Sequence, residues 1–100
     1  MNINDMKTNA TRASALMKAL SNETRLMLLC QMHDGERSVS ELAGTLDMRA
    51  SSVSQQLSLL RKDNLVATRR EGQTIFYSLQ GAEAKNVISA LYSLYCKDPE

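Results

Sequence analysis

The chain predicts a mainly α-helical fold closed by a small β-hairpin, five helices and two strands in all. Three observations predict it. Apolar residues recur at helical spacing near both ends, as in Ala13, Leu16, Met17 and Leu20 and again in Ala84, Val87, Ile88, Leu91, Tyr92 and Tyr95. Capping residues such as Ser21, Ser38 and Gly81 precede helical stretches, and Gly35 and Asn64 follow them. Between residues 65 and 79 the helical period gives way to Val, Thr, Ile, Phe and Tyr around Glu71-Gly72-Gln73.

The first helix is expected from about Asp5 to Leu20. Ser21 suits the N-cap of the second, with Glu23 in the first turn where the helix dipole favours an acid. Leu26, Leu29 and Cys30 share its inner face. Gly35 suits a left-handed C-cap, and His33 is read as a solvent-facing residue at that helix end. Ser38-Val39-Ser40-Glu41 is a capping box, so a short third helix starts there and buries Val39, Leu42, Ala43 and Leu46. After a turn at residues 47–50, a fourth helix runs from about Ala50 to Asp63, with Val53, Leu57 and Leu60 inward and Asn64 as its left-handed cap. Leu65–Arg70 and Thr74–Leu79 read as strands joined at residues 71–73. Gly81 caps the fifth helix. Its apolar stripe is broad for so small a domain, so Leu16, Leu20, Val87, Leu91, Tyr92 and Tyr95 are read as a homodimer surface. A helix lying across its own core would give a similar stripe.

The length of 100 residues fits one domain over residues 1–100, with a core modest enough to be extended by dimerising. Pro99 is the only proline, so no helix before the tail is interrupted by one. No apolar run approaches a membrane span and no signal-peptide pattern opens the chain, so the expectation is a cytoplasmic protein with no membrane partner. Net charge is +1, but residues 49–80 carry five basic and two acidic side chains, while the segments on either side carry a slight acidic excess. That fits phosphate binding by counterion release, and equally an unevenly charged solvated surface.

Two short helices, a turn between them and a hairpin after them make a winged helix-turn-helix. The fourth helix turns Ser51, Ser52, Ser54, Gln55, Ser58 and Arg61 outward. Short polar side chains reach base edges and phosphates without holding a helix out of the major groove. Gln55 and Gln56 offer amides suited to adenine. Ser51, Ser52, Ser54 and Arg61 fit phosphate or mixed contacts, Ser58 shares their DNA-facing side, and Arg69, Arg70 and Gln73 would place the wing on the flanking backbone or minor groove. A plain solvated helix face is the alternative, yet four serines in residues 51–58 are a poor choice for helix propensity alone. The expected partner is double-stranded DNA.

At these residues the chain resembles the ArsR family of bacterial winged-helix repressors. The likeness is carried by Leu20-Ser21-Asn22-Glu23-Thr24-Arg25-Leu26, by Ser38 to Ala43, by Ser52-Val53-Ser54-Gln55-Gln56-Leu57-Ser58-Leu59-Leu60-Arg61, and by Arg70 to Leu79. It implies a homodimer with the first and last helices at its interface, binding to an imperfect inverted repeat, and release of DNA on sensing an inducer. Two departures concern sequence preference: Arg49 stands where the family usually has a Ser cap, and Gln56 where a His is common.

Many relatives sense metals, but the third helix here has no cysteine and residues 82–96 hold no His or Asp, with Glu83 their only carboxylate. Zinc wants four N or S ligands, so no metal and no other cofactor is implied. There remain Cys30 and Cys96. Free cysteines often pack as small apolar residues. Cysteines at these places, with the ending Leu-Tyr-Ser-Leu-Tyr-Cys, are however similar to the dithiol, persulfide-sensing subgroup of the family. That resemblance implies redox sensing at Cys30 and Cys96, with reactive sulfur species or oxidants as inducer. A direct disulfide needs α-carbons within about 7 Å, whereas inserted sulfur atoms span more. Arg25 and Lys97 are candidates to lower a thiol pKa. A metal-responsive repressor and a winged-helix protein-interaction module are the competing readings. No catalytic Ser-His-acid or Cys-His pairing and no phosphate-binding glycine loop supports an enzyme.

Overall fold

The fold follows from where this chain can cap, bury and turn. The computed structural model describes residues 1–96. Its elements are α1 (Ile3–Leu20), α2 (Glu23–Gln31), β1 (Arg37–Ser38), α3 (Val39–Leu46), α4 (Ala50–Lys62), β2 (Val66–Glu71), β3 (Thr74–Leu79) and α5 (Ala82–Leu91), which widens into a π turn over Tyr92–Cys96. The sheet order is β1-β3-β2, antiparallel throughout, with Ser38 opposite Phe76 and Val66 opposite Leu79.

Several ends differ from the sequence expectation. α1 begins at Ile3, because the Asn2 side chain accepts from the Asp5 amide at 2.9 Å. Ser21 closes α1 instead of opening α2: its hydroxyl donates to the Lys18 carbonyl, and Asn22 accepts from the Arg25 amide as the N-cap. Asn outranks nothing here by type; position decides, since only Asn22 precedes the first helical residue in extended backbone. Gly35 is no left-handed cap either. α2 ends at Gln31 with Met32 as its cap, and Gly35 has a φ of 158°, close to extended. β2 runs on to Glu71, so only Gly72 and Gln73 form the loop, which the positive φ of 61° at Gly72 permits.

Two expected devices are present as read. Ser38 accepts from the Glu41 amide while Glu41 accepts from the Ser38 amide, completing the capping box. Asn64 takes φ 61°, and the Leu65 amide returns to the Leu60 carbonyl while the Asn64 amide returns to Arg61. This is a Schellman ending, and its apolar partners Leu60 and Leu65 are both buried. β1 was not expected. Two residues carry no period, and Ser38 serves at once as strand residue and cap.

Leu28, Leu29, Met32, Leu42, Val53, Leu57, Leu60, Val66 and Ile88 are the fully buried centre. The core therefore gathers α2 to α5 and the base of the sheet. α1 contributes only Ala19 and Leu20, with Leu16 half-buried, while Ile3, Met6 and Met17 remain exposed. The radius of gyration is 14.7 Å, above the about 13 Å of a compact chain this long. α1 stands off the body and leaves an apolar groove against α5, about 380 Å³, lined by Ala13, Leu16, Met17 and Val87. Among the described residues no helix is long and apolar enough to cross a membrane.

Candidate DNA interface and thiol pair

Capping box, turn and core act together to present α4. α3 ends at Asp47, whose left-handed backbone (φ 52°, ψ 53°) swings the chain into α4. Val53, Leu57 and Leu60 lock the inner face of α4 into the core with no exposure. Ser51, Ser52, Ser54, Gln55, Ser58 and Arg61 are exposed on the other side, whereas Gln56 is half-buried. Ser58 spends its hydroxyl proton on the Ser54 carbonyl at 3.0 Å. The helix opens on Arg49, which makes no side-chain cap bond. Arg49→Ser should therefore raise unfolding stability by about 0.5–1 kcal/mol, measured as an upward shift of the urea midpoint at constant slope.

The wing presents Arg69, Arg70 and Gln73, all exposed, but its two arginines are differently engaged. Arg69 grips Glu36 with two bonds, of 2.6 and 3.1 Å, reaches Glu71 at 3.0 Å, and lies over the Phe76 ring at 4.9 Å. Glu36 is held below the usual carboxylate range, chiefly by that hydrogen bond, and Arg69 is pushed further up. Arg70 only donates to the Gly72 carbonyl at 3.0 Å. Neither Arg70 nor Arg61 has an ion-pair partner among the described residues. Glu36 was not foreseen. Its distance in sequence from residue 69 hides it, and only the unexpected strand β1 brings it beside the wing.

Of the candidate dimer residues, Leu20 is buried in the chain's own core, Leu16, Val87, Leu91 and Tyr92 are half-buried, and Tyr95 is 81% exposed. Arg12 forms an ion pair with Glu83, tying α1 to the first turn of α5.

Cys30 and Cys96 come together. Both are free thiols, Cys30 half-buried on α2 and Cys96 exposed in the π turn. Burial pushes the Cys30 thiol above its ordinary pKa, and the neighbouring Cys96 pushes it the same way. The expectation that Arg25 lowers this thiol is corrected. Arg25 does not act on Cys30; its Nε is buried without a hydrogen-bond partner, in a cavity lined by Asp63, Gln80 and Ala84. Lys97 lies outside the described residues. His33 is corrected as well: its ring is stacked on Tyr92, and its Nδ1 lies 3.0 Å from the Cys30 carbonyl. Among the described residues no cluster of His, Cys, Asp or Glu has metal-holding geometry.

The sequence profile of the arsR family of bacterial regulatory proteins matches residues 22–68, from the cap of α2 to the start of the wing. The transcriptional activator HlyU of Vibrio cholerae is 46% identical over 97% of this chain and 90% of its own length. The chain belongs to the ArsR family. A biofilm growth-associated repressor of Agrobacterium fabrum is 44% identical, over 95% of this chain and 81% of its own. These relatives put this ArsR protein in a subgroup with HlyU and the biofilm growth-associated repressors, which are transcriptional regulators. Reduced HlyU from Vibrio cholerae superposes with a TM-score of 0.89 at 45% identity, covering 95% of this chain and 100% of that one. A homodimeric winged helix-turn-helix DNA-binding domain from Mycobacterium bovis gives 0.75 at 26% identity, covering 93% and 86%.

Proposed function

We propose that this ArsR-family regulator is a homodimeric repressor that binds an imperfect inverted repeat and lets go when a sulfur bridge forms between Cys30 and Cys96. The meeting of these two thiols between α2 and the end of α5 carries the reading. α4 lies in the major groove and the wing on the flanking backbone. Arg61 and Arg70, which have no ion-pair partner among the described residues, are available to neutralise phosphate, while Arg69 is retained to hold the wing against Glu36. The apolar groove between α1 and α5 receives the partner protomer, as the homodimeric relative suggests. A relative studied in a named reduced state supports a redox-active group in this subgroup.

The chemistry balances with a persulfide as both sulfur donor and oxidant. One glutathione persulfide gives its outer sulfur to a cysteine thiolate and leaves as glutathione. The cysteine persulfide and the second thiol then couple as another persulfide is reduced to glutathione and hydrogen sulfide. The product is Cys30–S–S–S–Cys96. Exposed Cys96 is the entry point, because burial keeps Cys30 protonated at neutral pH.

The test is a titration of an inverted-repeat duplex at several salt concentrations, before and after glutathione persulfide, with reductant added back. A protein-interaction module would give no sequence-specific binding. Arg61→Gln or Arg70→Gln should each flatten the plot of log affinity against log salt by about one unit of slope while weakening all sequences alike. An unchanged slope for both would remove these residues from the phosphate contacts.

A further inference from the structure

We infer that the His33–Tyr92 ring stack is a positioning contact that sets Cys96 against Cys30. The inference rests on the thiol-switch reading and adds what holds the pair in register.

Four side chains make two rungs between the same two segments. Cys30 and His33 sit three residues apart at the end of α2; Tyr92 and Cys96 sit four apart in the π turn after α5. One rung is the thiol pair. The other is a near-parallel stack, with centroids 3.6 Å apart and planes inclined by 18°. The His33 ring is itself tied to the cysteine-bearing turn, since its Nδ1 lies 3.0 Å from the Cys30 carbonyl oxygen. On the other strand of the ladder, little else among the described residues grips the chain. The last fully buried residue of α5 is Ile88, and Leu94 and Tyr95 are 74% and 81% exposed. The wider π turn redirects the side chains beyond Leu91, so the azimuth of Cys96 depends on where Tyr92 is pinned. A stack that only covered surface would have no reason to share its backbone anchor with the reactive cysteine.

Dibromobimane tests this without redox chemistry. One thiolate displaces the first bromide and the other the second, so two C–S bonds form, two C–Br bonds break, and two bromides and two protons leave. Mass spectrometry of the intact, reduced chain separates the first alkylation from ring closure. An aromatic pair contributes enough for His33→Ala to slow closure about 3- to 10-fold while the first alkylation stays within about twofold. His33→Phe keeps a stacking ring and should restore closure to within about twofold of the parent. Tyr92→Leu should slow closure as His33→Ala does. Closure at the parent rate in His33→Ala and Tyr92→Leu, equal slowing of both steps, failure of His33→Phe to rescue, or a parent chain that never closes would each overturn the inference. Loss of the DNA response with the closure pattern intact would instead overturn the switch and leave the positioning role standing.

Discussion

Glutathione persulfide should lower the affinity of the reduced protein for its operator by about 5- to 150-fold, and added thiol reductant should restore it. The expectation comes from what the bridge joins. α2 is locked into the core through Leu28 and Leu29, and α5 lies on the α1 side of the molecule, against the groove assigned to the partner. On the proposed mechanism, a covalent tie between them would alter how α5 leaves the body, and with it the spacing of two recognition helices that would have to match one inverted repeat. Cys30→Ser and Cys96→Ser should bind DNA as the reduced parent does and ignore the persulfide. Intact mass should increase by one sulfur less two hydrogens; loss of two hydrogens alone would remove sulfur insertion in favour of a plain disulfide. The raised pKa of Cys30 gives a sign for pH. Its thiolate is scarce at neutral pH, so steps in which Cys30 attacks should accelerate as pH rises toward that raised value. Unchanged operator affinity in a fully bridged sample would leave a constitutive binder.

Leu57→Ala should destabilise the fold by about 2–5 kcal/mol, a large part of the roughly 5–15 kcal/mol that such a domain has in total. Leu57 has no exposed surface and stands between Val53 and Leu60, the other inward residues of α4. Its truncation leaves a cavity directly behind the helix that would read DNA. Urea unfolding should report a lower midpoint, and operator binding should fall with the folded fraction. Ser54→Ala, one turn away on the exposed face, should change stability by no more than about 0.5 kcal/mol. A Leu57→Ala midpoint equal to the parent's would mean that α4 is not held by this core.

The sequence was most legible where one local rule decides the outcome. Ser38 and Glu41 could be paired by spacing, Asn64 by its place after the last inward leucine, and Val53, Leu57 and Leu60 by their period. It was least legible where adjacent residues of similar chemistry compete. Ser21 and Asn22 both suit a cap, and only the geometry of the α1–α2 corner assigns Ser21 to the helix before and Asn22 to the helix after. Long-range pairings were hidden for another reason. Nothing in the sequence around Glu36 points to Arg69, and nothing around His33 points to Tyr92, because each contact depends on a chain path that no local pattern encodes. At the candidate site, the exposed residues of α4 were readable, while the two cysteines were singled out by the family resemblance and not by any local pattern. The engagement of Arg69 and the burial that raises the Cys30 thiol were not readable.

The way α1 stands off the body ties this molecule's fate to its abundance. Ile3, Met6 and Met17 lie in water on an isolated copy, so whatever covers them contributes folding free energy by mass action. Melting temperature should climb as the sample is concentrated. A cell that makes few copies would then hold a regulator that is both less assembled and easier to degrade, before any chemical signal reaches it.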